Sequence, residues 1–145
     1  MSKTNTFETD FLELVFNNTT VSGIGSDGLR GSTTAGSLYV ALFESDPTDS
    51  GTVTGECDYT GYARVAVART SGGWTVSGDT CTNTAAVTFG ECTVGSNTAT
   101  HFGICKAGTA SVQDLIFHGA LDSSLAISVG IIPEFIIGAI EVTED

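Results

Sequence analysis

Residues 61–69 read GYARVAVAR, and their alternation decides the class of fold. Ala63, Val65 and Val67 fall on one side of an extended chain, and Tyr62, Arg64 and Ala66 on the other. A period of two marks a half-buried β-strand, because successive side chains point to opposite faces. Upstream, SLYVALF (37–43) reads as a buried strand, ended by the turn ESDPTDSG with Pro47 and Gly51 among acids. Downstream, SGG (71–73) turns the chain before the short WTV. NTAAVTF (83–89) then puts Ala85, Val87 and Phe89 on one face. TATHFGIC (98–105), DLIFHGAL (114–121), LAISVG (125–130) and EFIIGAIEV (134–142) complete about seven strands with turn signals between them. That spacing indicates a mainly β chain, an antiparallel β-sandwich of jelly-roll type. The absence of βαβ alternation excludes a doubly wound nucleotide fold.

One helix precedes the strands. Phe7, Phe11, Leu14 and Val15 recur at helical spacing, and Asn5 with Glu8 has the spacing of a capping box. Asn17-Asn18 followed by threonines stops it, so residues 6–16 are expected to form one amphipathic helix. A helix this short is marginal alone in water, so its apolar stripe must pack on the β domain or on a neighbouring subunit. Residues 19–36 are a Gly/Ser/Thr-rich connection. The expected organisation is one domain, with residues 1–36 as helix and connection and residues 37–145 as the sandwich.

Composition narrows the partners. The net charge of −12 arises from 17 acidic and 5 basic residues, Lys3, Arg30, Arg64, Arg69 and Lys106. A nucleic-acid binder needs a basic footprint to displace counterions, so nucleic acid is not an expected partner. An anionic membrane surface is excluded on the same ground, and no apolar run approaches the ~20 residues of a spanning helix. The start MSKTNTFETDFLELVF carries acids inside its apolar stretch, unlike a secretory signal, so synthesis in a host cytoplasm is expected.

Residues that could carry chemistry are few. His101 and His118 each sit inside a strand and read as framework residues. The acidic turn with Glu44, Asp46, Asp49, Glu56 and Asp58 lacks the rhythm of a calcium loop and reads as solvated. GIGSDGLRG (23–31) lacks the lysine of a phosphate loop, and no G-x-S-x-G is present. No cofactor, metal site or catalytic set is expected. Cys57, Cys81, Cys92 and Cys105 form no C-x-x-C pair and default to buried thiols. One alternative is open. If 83–89 and 98–105 formed a hairpin with Phe89 near Thr98, facing residue numbers would sum to about 187 and Cys81 would lie almost opposite Cys105, near disulfide geometry.

The ordered pieces FETDFLELVFNNTT, LYVALFESDPTDSGT, YTGYARVAVAR, NTAAVTFGECT, TATHFGICKAGT, LIFHGAL and FIIGAIEVTED resemble a family of small tailed-phage virion proteins, labelled variously tail fibre, head decoration or cement proteins. The resemblance implies a structural protein of the virion without enzymatic activity. It implies foremost a capsid cement on the head surface, bridging the major capsid protein and itself a homo-oligomer, with a homotrimer as the expected state. A tail fibre or receptor-binding tail component is the alternative, with Tyr59, Tyr62 and Trp74 as candidates for a recognition patch. A carbohydrate-binding or hydrolytic jelly roll is the third reading. The expected interface residues are Phe7, Phe11 and Leu14 of the helix and Asp46, Asp49 and Glu56 of the acidic turn.

Overall fold

The computed structural model describes residues 2–29, 31–50, 53–110 and 114–145. Gly51 of the acidic turn and Arg30 lie outside the described residues. The elements in chain order are α1 (Asn5–Asn17), β1 (Ser37–Phe43), β2 (Val65–Ala68), β3 (Trp74–Ser77), β4 (Thr80–Asn83), β5 (Val87–Thr88), β6 (Asn97–Cys105), β7 (Leu115–Ile127), β8 (Glu134–Phe135) and β9 (Glu141–Thr143). The fold is mainly β, with antiparallel sheets and one short N-terminal helix. Among the described residues no helix is long and apolar enough to cross a membrane.

The chain sorts into two compact units whose segments interleave. The first comprises Met1–Ser37, Val67–Ala86 and Phe135–Asp145, so the helix shares a unit with mid-chain and C-terminal strands. Helix α1 starts at Thr4, whose hydroxyl accepts from the Phe7 N–H at 3.4 Å, rather than at the Asn5–Glu8 box. It ends at Asn18, which takes the left-handed conformation at φ 58°. Arg69 then caps the helix C-terminus: Nε donates to the Val15 carbonyl at 2.7 Å and Nη2 to that of Leu14 at 2.8 Å. A cation is favoured there because the last carbonyls carry the negative end of the helix dipole.

The buried stripe of α1 is Glu8, Leu12 and Phe16, not the expected Phe7, Phe11, Leu14 and Val15, which are half-buried. Phe16 packs on Trp74 at 4.9 Å between ring centroids, and Leu12, Phe16 and Trp74 are fully buried. Side chains of this size each contribute roughly 1.5–3 kcal/mol through burial. The three-stranded sheet of this unit has the order β3-β4-β9.

The second unit comprises Leu38–Ala66 and Val87–Glu134. Its sheet has the order β2-β1-β6-β7, with β2 leaving the unit after Ala66. Phe43 faces His101 and Tyr39 faces Cys105 across β1 and β6. Strand β7 merges the two expected strands 114–121 and 125–130 into one, paired with β6 through a register shift between Ala99 and His101. Val40, Ala41, Leu42, Phe43, Ile104 and Ile127 are buried in this unit.

Two expected alternations come out differently. In the 61–69 stretch Ala63 is exposed and Arg64 is buried, and the strand itself starts only at Val65. In the 83–89 stretch Asn83, Val87 and Phe89 are buried while Ala85 is exposed. The postulated 83–89/98–105 hairpin does not form, because β6 pairs with β1 and β7. Cys81 faces Val76 and Val142, Cys105 faces Tyr39 and Leu115, and all four cysteines are free and buried. The Cys81–Cys105 bridge therefore lacks the register it needed.

Candidate interaction surface

Three backbone segments of the second unit are tied into one platform. The Gly130 N–H donates to the Cys92 carbonyl and the Cys92 N–H to the Ile131 carbonyl, both at 2.9 Å. The Ile131 N–H donates to Ser128 at 2.9 Å and closes the turn after β7. The Thr60 N–H donates to Val94 and the Thr93 N–H to Thr60, each at 2.9 Å. Gly61 and Gly90 make this approach possible. A Cβ on Gly61, at φ +107°, would strike the Glu91 carbonyl, and one on Gly90 would strike the carbonyl of Gly61. The Tyr59 hydroxyl donates to the Gly90 carbonyl at 2.9 Å and braces the base from within.

From this base project Val94 (63% exposed), Val129 (65%), Ile131 (39%) and Ile132 (53%). Single exposed aliphatics are ordinary, but four on segments joined by backbone hydrogen bonds make this the candidate contact surface of the second unit. Their β-branched side chains are stiff at χ1, so docking costs them little conformational entropy.

The first unit carries a second apolar tip of its own. Ile136 and Ile137 are 68% and 69% exposed, in a stretch read from sequence as a strand. The tip is a turn in which the Ala139 N–H donates to Ile136 at 3.1 Å. Buried Asn83 holds it: Nδ2 donates to the Ile136 carbonyl at 2.9 Å and Oδ1 accepts from the Ile140 N–H at 2.9 Å. The apolar run is thus split, with Ile140 and Val142 inward and the Ile136-Ile137 pair outward.

Beneath the surface of the second unit lies a charged network. Arg64 donates from Nε and Nη2 to both oxygens of Glu56, at 2.7 and 2.8 Å, and from Nη1 to Asp114 Oδ2 at 2.7 Å and the Ala107 carbonyl at 2.8 Å. Burial works against the guanidinium charge, but the hydrogen bonds to Glu56 and Asp114 outweigh it and hold Arg64 above its ordinary pKa. The Tyr62 hydroxyl donates to Glu56 at 2.8 Å while accepting from the Leu42 N–H at 3.1 Å. Burial, reinforced by the Glu56 charge, raises the Tyr62 pKa.

The residues nominated from sequence are dispersed. Glu56 turns inward to Arg64 rather than outward to a partner. Asp46 and Asp49 remain exposed, and His118 lies between them, 3.4 Å from Asp46 and 3.2 Å from Asp49. His101 Nδ1 lies 2.9 Å from the Thr100 hydroxyl. Trp74 and Tyr59 are buried and Tyr62 stacks on Phe89 at 6.0 Å, so the aromatic residues nominated for receptor contact serve the interior. Burial pushes the thiols of Cys57, Cys81 and Cys105 up to about 12, with the acids around Cys57 adding to its shift. A thiol so shifted is inert at neutral pH. Sequence reasoning missed Val94, Val129, Ile131, Ile132, Ile136 and Ile137, because Val129, Ile136 and Ile137 were read into strands and Val94, Ile131 and Ile132 into the connections between them; the glycines and Pro133 beside them were the available signal.

Residues 2–143 match the family described as Podophage GP4 fiber I protein gp80. The chain belongs to this family. It is accordingly a bacteriophage virion protein, in line with the phage resemblance read from its strands. The family match runs through both units, so the platform and the Ile136-Ile137 tip both lie within it. No curated protein matches the chain.

Proposed function

We propose that the chain is a structural subunit of the phage tail-fibre assembly that seats on a neighbouring virion protein through the Val94–Val129–Ile131–Ile132 platform. The observation that carries this reading is a preformed apolar platform in a chain matched almost end to end by a fibre family. The role is non-catalytic. The two histidines and the thiols already have structural surroundings, and a subunit that binds only the assembled particle stabilises it by mass action.

The sequence reading put the chain on the head, as a cement bound to the major capsid protein. The acidic surface supports that reading as well as it supports the fibre, whereas the family name favours the fibre. Separation of purified particles into heads and tails, followed by detection of this chain, tests the choice. Recovery with the tail fraction is the expected result. Recovery with heads restores the cement reading, and absence from particles overturns both.

A further inference from the structure

Charge says which kind of surface meets the platform. The second unit contains two basic residues, and one of them, Arg64, is buried and held by Glu56 and Asp114. Only Lys106 remains exposed, against the exposed carboxylates of Glu44, Asp46, Asp49, Asp58, Glu91, Asp122 and Glu134. Two of these acids flank the platform in the chain: Glu91 precedes Cys92, and Glu134 follows Pro133. Glu134 also accepts from the Thr88 hydroxyl at 2.6 Å, which fixes its position.

Against such a surface the second unit of another copy sets one exposed cation, Lys106. Joining two copies through their platforms would bring acidic surfaces together, within a chain whose net charge is already −12. Like charges across an interface disfavour the wrong partner, and opposite ones steer the right one. We infer that the platform takes a different protein, whose contact surface has an apolar centre and a basic rim. The inference rests on the docking role proposed above and names the partner's chemistry.

The test uses the full-length chain and two synthetic amphipathic helical peptides. Both peptides carry the same leucine face; one has lysines elsewhere and the other glutamates. The lysine peptide is expected to bind and the glutamate peptide not. Added salt is expected to weaken binding, since the rim charges are exposed and screened. The double variant Val129→Ser/Ile132→Ser leaves the charge unchanged and is expected to weaken lysine-peptide binding about tenfold or more, as loss of two central apolar contacts does. Sedimentation of the chain alone is expected to show no self-association that the double variant abolishes.

Equal binding of both peptides would overturn the inference, as would lysine-peptide binding untouched by the double variant, or self-association through the platform. The head and tail fractionation is independent of these outcomes. A chain found on tails that nevertheless self-associates through the platform refutes the partner's chemistry and leaves the fibre reading standing.

Discussion

Arg64 and Asp114, fifty residues apart in the chain, meet in the interior with Nη1 2.7 Å from Oδ2. With Glu56 they form a buried triad in which one cation serves two carboxylates. Removing the cation alone leaves those carboxylates without their counter-charge. Arg64→Met is expected to cost about 3–5 kcal/mol in urea unfolding, the loss typical of breaking one side of a buried pair. Adding Glu56→Gln and Asp114→Asn to it should recover part of that loss. A triple variant no more stable than the single one would contradict the charge argument.

Asn83 connects three backbone groups: the carbonyls of Ala85 and Ile136, and the N–H of Ile140. Asn83→Ala leaves the buried Ile140 N–H without its acceptor, a loss of about 1–3 kcal/mol. Amide hydrogen exchange should show the Ile140 N–H losing protection first, since its acceptor is the Asn83 side chain. Unchanged protection there would mean that the tip holds without Asn83.

Burial sets the alkaline limit of stability. Cys57, Cys81 and Cys105 have an ordinary pKa of 9.0 and are raised to about 12 in the fold. Below pH 9 both states keep these protons, so their contribution is fully present. Between pH 9 and 12 the unfolded chain loses protons that the folded chain retains, and stability falls by about 1.4 kcal/mol per pH unit for each such thiol. Urea midpoints measured over that range should decline steeply, and Cys81→Ala should flatten the decline relative to its own value at neutral pH. Labelling by a thiol reagent at pH 7 should reach none of the four cysteines in the native chain and all four after denaturation.

The helix stripe separates in the same way by mutation. Leu12→Ala should cost about 2–5 kcal/mol, as fully buried Leu truncations do. Phe7→Ala, at a half-buried position, should cost less, although Phe is the larger side chain. Thermal unfolding of the two variants orders them, and a larger loss at Phe7 would restore the stripe read from periodicity.

These residues also explain what the sequence made legible. Phe7 with Phe11 and Leu12 with Phe16 are both apolar pairs at helical spacing, so periodicity identified the helix but not the face that docks. The choice was made by Trp74, 58 positions on from Phe16, which no local pattern links to it. The antiparallel β class was legible because SLYVALF and TATHFGIC become paired strands, β1 and β6. Charge normally seeks water, and the burial of Arg64 depends on Asp114, from a distant segment that no local pattern links to it. The platform was hidden for the opposite reason. Val129, Ile131 and Ile132 have the composition of core residues, yet they lie exposed on a segment tied to Cys92 by backbone hydrogen bonds that no local pattern announces.

The close approach of Gly61 to Glu91 carries its own expectation. Gly61→Ala would place a methyl group against the Glu91 carbonyl in a backbone region that L-residues rarely adopt. It should loosen the platform and weaken docking to the particle while α1 and β3-β4-β9 keep their protection from exchange. Loss of protection throughout both units would show instead that the platform is part of the global folding unit.

The most direct measurement places a photo-crosslinking residue at Val129 in the chain assembled on the phage particle, with the same residue at exposed Ala66 as the comparison. Crosslinking from position 129 to one tail-fibre neighbour, a different protein, with little from position 66, is the result this account predicts. Crosslinks from position 129 only to copies of this chain or to the major capsid protein, or none at all, would contradict it.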